Sequence, residues 1–151
     1  MKKKIALITG IYGQDGAYLA RFLLKKNYKV VGIIRRSAKS SNWRLKKLNI
    51  KDKVIILDID IKEVNNLIKI FKKYSVDEVY NLASQSSVHS SFQNPIETTL
   101  INSIGVLNLL EIIRNKKNKI KFYQASTSEM FGKVQEVPQK ETTPFYPRSP
   151  Y

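Results

Sequence analysis

No cysteine occurs in the sequence, and His89 is its only histidine. The first absence excludes disulfides and thiolate metal sites and fits a reducing compartment such as the cytoplasm. The second leaves no cluster of metal-ligating side chains around His89 in SSVHSSF, so no metal site is expected and His89 reads as a loop or helix-start residue. Long apolar runs are also missing. No stretch approaches the ~18 residues of a membrane span, and IALITG, near the basic N-terminus, is too short for a secretory signal core. A soluble cytoplasmic protein is expected. Acidic residues are few: 12 Asp and Glu against 27 Lys and Arg leave a formal net charge of +15. Such a surplus invites nucleic-acid binding. The cations, however, are scattered through KKNYK, RLKKL, FKKY and RNKKNK and do not gather in one stripe. A solvated basic surface is the better expectation, one that attracts polyanionic small molecules such as nucleotides but no nucleic acid.

What is present is a chain of one-domain length with an ordinary 42% of hydrophobic residues. Short apolar runs read as strands: KIALIT, KVVGIIR, KVIILDI, DEVYNLA and KIKFYQAS. Between them lie helical patterns. AYLARFLLKK sets Leu19, Phe22 and Leu23 on one face, and VNNLIKIFKKY spaces Val64, Leu67, Ile68 and Phe71 helically. NWRLKKL reads as a short helix, and a long amphipathic one begins at Pro95. Strands apolar throughout, alternating with helices, specify parallel βαβ units, so the fold expected is α/β, a Rossmann-like doubly wound parallel sheet. The alternation stops near Ser126, and a polar, proline-punctuated loop runs to Tyr151.

Three of the six glycines, Gly10, Gly13 and Gly16, stand between the first strand and the first helix in TGIYGQDGAYL. In that context G-x-x-G-x-x-G provides a tight turn, close backbone approach to a pyrophosphate, and close helix–strand packing. The phosphates would meet the free N–H groups of the helix N-terminus. Asp15 reads equally as a helix N-cap, and Tyr12 as a pocket wall or a cover for the turn. At the end of the second strand the acid that would hold the ribose 2′-hydroxyl of NAD is replaced by Arg35, Arg36 and Ser37. Guanidinium groups bind phosphate bidentately, so NADP is the expected cofactor; a solvent-facing arginine pair is the alternative. Adenine would lie near Asp60 and Ile61. At the end of the fifth strand, where open sheets bind ligands, Thr127, Ser128 and Glu129 offer two hydroxyls and a carboxylate. The alternative there is a capping box between Ser126 and Glu129. Asn102 and Ser103 lie inside the long helix, and Asn102, a poor helix-interior residue, is expected to bond across to a strand or loop.

ALITGIYGQDGAYLARFLL, GIIRRS, DEVYNLASQSSV, FYQASTSEMFG and PQKETTPFYPRSPY together resemble the GDP-mannose 4,6-dehydratase family, within the extended short-chain dehydrogenase/reductase superfamily. The glycine loop marks only the superfamily; GQDG, RRS and FYQASTSE with PFYPRSPY are far more specific. The resemblance implies a redox-neutral lyase that converts GDP-mannose to GDP-4-keto-6-deoxymannose through tightly held NADP. It assigns Tyr151 as the base for the sugar O4 proton, Thr127 as its hydroxyl partner, Glu129 as the H5 base, and Ser128 as an aid to water departure. It also places Gln14, Leu82, Ala83 and Ser84 beside the cofactor and Ser86 toward the sugar, where plain loop serines are the alternative. For Trp43 and Arg44 it implies a loop reaching a neighbouring subunit, against packing on the chain's own domain. A phenol is a poor base at neutral pH without a neighbouring cation. The family's lysine would stand four residues beyond Tyr151, where the sequence ends. Residues 1–151 are therefore expected to be the NADP-binding domain of a larger homodimer or homotetramer, lacking the substrate domain and inactive alone. Related expectations are a GDP-manno-heptose 4,6-dehydratase or a GDP-4-keto-6-deoxymannose reductase, and, in a different class, a non-catalytic NADP-binding protein. The pairing of Thr127 with Glu129 favours a dehydratase, since a reductase needs no H5 base.

Overall fold

The computed structural model describes residues 2–35 and 41–151. Its centre is a five-stranded, wholly parallel sheet of β1 (Ile5–Thr9), β2 (Lys29–Ile34), β3 (Ile55–Asp58), β4 (Glu78–Asn81) and β5 (Lys121–Gln124), in the order β3-β2-β1-β4-β5. The direction of winding reverses between β1 and β4, which opens a crevice at their carboxyl ends. Because side chains alternate across a strand, β1 feeds two cores. Ile5 and Leu7 join Val31, Leu67, Phe71 and Leu109 on one face; Ala6 and Ile8 join Ala17, Ala20, Leu23 and Leu45 on the other.

Helix α1 (Gln14–Lys25) and the short α2 (Trp43–Lys47) cover the second of these faces. The buried stripe of α1 is Gly16, Ala17, Ala20 and Leu23. Sequence periodicity places Phe22 on that face, yet it is 54% exposed, with the Lys26 ammonium 4.9 Å above its ring. Small side chains won because the helix must lie close to the sheet for its first turn to reach the strand ends. Helix α3 (Val64–Lys73) differs similarly, burying Leu67, Ile70 and Phe71 while Val64 stays partly exposed. β5 lies at the sheet edge, and Tyr123 is 54% exposed there, so the cover expected on both faces is incomplete.

After α4 (Val88–Gln93), one 20-residue helix, Pro95–Arg114, combines α5 (Pro95–Thr99), a π-helical turn (Leu100–Ile104) and α6 (Gly105–Arg114). With a mean hydropathy of 1.4 over an 18-residue window it has the length and composition of a membrane span, which counting uninterrupted apolar residues did not foresee. In this fold it lies on the sheet through Ile101, Leu109 and Ile112, as the cover of a core.

Candidate functional site

The glycine loop is shaped by contacts that exclude side chains. Gly10 has φ +70°, and a Cβ there would come within 3.0 Å of Leu82 O and Ala83 N. A Cβ on Gly16 would lie 2.5 Å from Gly10 O and 2.7 Å from Ile11 Cα. The first turn of α1 is thus pressed against the loop. Its N-cap is Gly13, and no side chain caps it, so Asp15 is a first-turn residue and not the N-cap that was its alternative reading. Uncapped N–H groups at a helix start are suited to an anion.

Below the loop runs a buried polar chain across three strands. Thr9 Oγ1 donates to Asn81 Oδ1 at 2.5 Å and accepts the N–H groups of Leu82 (3.1 Å) and Ala83 (3.0 Å). Asn81 Nδ2 donates to Gln124 Oε1 at 2.8 Å. Thr9 and Asn81 are buried, so the bond between them forms without competition from water. The chain locks the carboxyl ends of β1, β4 and β5 in mutual register.

Two adjoining cavities open over these ends and share Gly10, Gly13, Leu82, Ala83, Ser84 and Ser86. The proximal one, about 610 Å³, adds Gln14, Asp15, Gly16, Gln124, Thr127 and Tyr151. The distal one, about 340 Å³, adds Tyr12, Arg35, Asp60 and Ile61, with Ile34, Ile59 and Ile101 as apolar wall. Partial burial pushes the Tyr12 phenol above its ordinary pKa. Arg36 and Ser37 lie outside the described residues. Ser128 and Glu129 are not cavity lining; with Met130 they form a 3₁₀ turn capped by Thr127, whose Oγ1 accepts the Glu129 N–H at 3.1 Å. The capping considered between Ser126 and Glu129 is therefore made by Thr127 instead. Ser126 has φ +59°, in the left-handed region.

The proline-rich segment returns Tyr151 to this site. Tyr146 N–H donates to Met130 O and Lys133 N–H to Tyr146 O, each at 3.1 Å. Phe131 and Phe145 meet edge to face at 5.1 Å between centroids. Gly132, at φ +47°, permits this return, since a Cβ there would lie 2.1 Å from Tyr146 O.

Asn102 bonds across to a loop, as its placement in a helix suggests. It accepts from Gln85 N–H (2.9 Å) and Ser84 Oγ (3.2 Å), and its Nδ2 donates to Gln85 O at 3.1 Å. Ser103 lines the proximal cavity beside it. Arg44 donates to Tyr12 O at 3.1 Å and so packs on its own domain, while the Trp43 ring, 4.4 Å from its guanidinium, is 53% exposed. His89 is exposed on α4. The sequence reading missed Gln124, Met130, Ser41 and Asn108. Gln124 alone carried a signal, as the last residue of a strand at the binding edge.

The family model described as GDP-mannose 4,6 dehydratase matches residues 7–151. Among curated relatives, the GDP-mannose 4,6-dehydratase of Vibrio cholerae serotype O1 is 54% identical across 100% of this chain and 42% of its own length. The Homo sapiens GDP-mannose 4,6 dehydratase is 47% identical across 99% and 42%. Of solved structures, the UDP-glucose 4-epimerase of Thermotoga maritima, determined with UDP-glucose, superposes with a TM-score of 0.85 at 29% identity, covering 97% of this chain and 46% of that one. The Bifidobacterium longum UDP-glucose 4-epimerase, in complex with NAD+ and UDP, gives 0.85 at 26%, covering 98% and 44%. The chain thus spans about 42% of the length of the curated relatives it matches. With its glycine loop, its strand-end cavities and a match over nearly every residue, this chain belongs to the GDP-mannose 4,6-dehydratase family.

Proposed function

We propose that residues 1–151 are the NADP-binding domain of an enzyme that dehydrates GDP-mannose to GDP-4-keto-6-deoxymannose. One observation carries this reading. The two cavities meet across Gly10 and Gly13, forming a trough from Arg35 and Asp60 at one end to Thr127 and Tyr151 at the other. A dinucleotide fits it. The uncapped start of α1 suits the pyrophosphate, and the space that a Cβ on Gly10 would occupy lets the backbone approach. The isoleucine wall suits a base, and Arg35, with Arg36 and Ser37 beyond the described residues, suits a 2′-phosphate.

When bound, NADP supplies a hydride acceptor at sugar C4 and a donor at C6, so that no net oxidant is consumed. The chain's own residues move the protons. Tyr151 takes the proton of the sugar O4, with the Thr127 hydroxyl beside the same cavity holding the developing oxyanion. Glu129, its backbone N–H held by Thr127, takes H5 once C4 is a ketone and that proton has become acidic. Ser128 assists the departure of water from C6, and Ser86 faces the sugar. A carboxylate in this turn favours dehydration over reduction of the 4-keto sugar. The basic surface, +15 overall, attracts the substrate's diphosphate. The absence of cysteine supports the cytoplasm. The exposed apolar row Ile96, Leu100, Ile104 and Leu107 supports a homodimer or homotetramer at full length.

Incubating the full-length protein with GDP-mannose should yield a 4-keto sugar nucleotide without net cofactor consumption. Turnover of the manno-heptose nucleotide alone would reassign the substrate, and no turnover of either, with NADP still bound, would support a non-catalytic binder. Purified 1–151 should show no turnover, and detecting any would overturn its reading as the binding half.

A further inference from the structure

The rim of the distal cavity carries an ion cluster that no motif marks. Asp60 is the one carboxylate among the described residues lining that cavity, where it stands between Ile59 and Ile61. Its Oδ1 accepts the Lys62 backbone N–H at 3.0 Å, which fixes one oxygen in a tight local turn. Its Oδ2 lies 3.6 Å from the Lys62 ammonium. That is an ion-pair distance and too long for a hydrogen bond, so Oδ2 keeps lone pairs for a neutral N–H donor. The ammonium is drawn the other way, donating to Glu97 Oε1 on α5 at 2.6 Å.

The loop bearing Asp60 is tied to the long helix at two further points. Asn108 Nδ2 donates to Ile61 O (3.1 Å) and Lys62 O (3.3 Å). Gly105 admits the Ile61 side chain where a Cβ would come within 2.5 Å of its Cδ1. Asp60 is therefore set by its own turn, by the lysine, and by a glutamate that restrains the lysine.

We infer that Lys62 and Glu97 are positioning residues that hold Asp60 to select an amino-bearing purine, adenine over hypoxanthine, in this cavity. The inference rests on the dinucleotide reading above. An ionised carboxylate only accepts hydrogen bonds, and adenine offers an exocyclic amine at the place where hypoxanthine offers another acceptor. Without Glu97 the ammonium closes on Asp60 Oδ2 and competes with the base for that oxygen. Without Lys62 the carboxylate loses its restraint.

The test is calorimetric binding of NADP and of its hypoxanthine counterpart to the full-length protein. Wild type should prefer the adenine form. Lys62→Ala and Glu97→Ala should each weaken NADP binding by about fivefold, the upper range for a part-exposed ion pair, and leave the hypoxanthine form unchanged. Lys62→Arg should keep the preference. An unchanged preference in Lys62→Ala, or an equal loss for both dinucleotides, overturns the role of the pair alone. A wild-type protein that binds neither dinucleotide removes the inference together with the reading beneath it.

Discussion

Asn102 and Gln85 are joined by two opposed hydrogen bonds, the asparagine accepting the Gln85 N–H at 2.9 Å and donating to the Gln85 carbonyl at 3.1 Å. The asparagine stands in the π turn of the long helix, and Gln85 in the loop between Ser84 and Ser86, which both line the trough. π turns widen a helix locally and cluster at functional sites. Here the turn brings one side-chain amide to a backbone whose N–H and C=O have no strand partner. Asn102→Leu should therefore destabilise the domain by about 1–3 kcal/mol, because two backbone groups lose their partners. It should also weaken cofactor binding at full length, whereas Asn108→Leu should act mainly on the distal end. Denaturant titration with parallel calorimetry checks both, and an unaltered stability in Asn102→Leu would show the clamp to be dispensable.

Gly16 sits in the first turn of α1, where alanine ordinarily strengthens a helix. The surroundings reverse that sign. A Cβ would meet Gly10 O at 2.5 Å, which is backbone and cannot rotate away. Gly16→Ala should push the helix start from the loop, cost about 1–3 kcal/mol in strain, and weaken dinucleotide binding. Ala20→Gly, in the same buried stripe, should lower stability through helix propensity while leaving the binding face in place. Melting temperature and dinucleotide affinity, measured together, separate the two effects.

The amino end of β4 supplies a pH signature. Buried Glu78 accepts from Tyr80 Oη (2.7 Å) and Tyr28 Oη (3.0 Å), with the Lys4 ammonium at 3.6 Å. Burial works to raise its pKa, but the two phenol hydrogen bonds, aided by Lys4 and Lys121, outweigh it and hold the carboxyl below its ordinary 4.5. A depressed carboxyl contributes stability above its unfolded value, and that contribution is lost as pH falls through the folded one. Tyr80 is pushed from 10 to about 12, by burial first and then by its bond to Glu78. Its contribution is complete below pH 10 and lost as pH rises toward 12. Glu78→Gln should flatten the acid limb below pH 4.5, and Tyr80→Phe the alkaline limb between 10 and 12. Equal slopes in wild type and variants would dissociate this cluster from both limbs.

Much of this arrangement was legible because backbone geometry restricts residue choice. Parallel strands buried on both faces need unbroken apolar runs, and a turn such as that at Gly10 needs glycine, so sheet and loop both showed in the sequence. Strand order did not, since it depends on which edges pair and leaves no local trace. Helix faces were misjudged at Phe22 and Val64 because hydrophobicity was counted without the space beneath each helix. Asn102 announced itself by being unsuited to a helix interior. Lys62 could not, because one lysine among many has no pattern until Asp60 and Glu97 are placed around it.

The return of Tyr151 to the strand ends depends on Gly132 more than on the prolines. Prolines restrict their own φ but do not bring two distant segments together; the pairing of Tyr146 with Met130 and Lys133 does that. Gly132 lies inside this pairing at φ +47°, with room for no Cβ beside the Tyr146 carbonyl. Alanine there meets both a disfavoured backbone and a backbone oxygen, and Phe145 must shift from Phe131. In the full-length protein, Gly132→Ala should lower kcat at least tenfold, about 1.4 kcal/mol in the barrier, by displacing Tyr151. Dinucleotide affinity should stay within about twofold, since the glycine loop and the distal cavity lie elsewhere in the chain. Val137→Ala, at a side chain 89% exposed in the same segment, should leave both quantities unchanged. Loss of affinity and kcat together in Gly132→Ala would mean that the segment supports the whole trough and not the tyrosine alone.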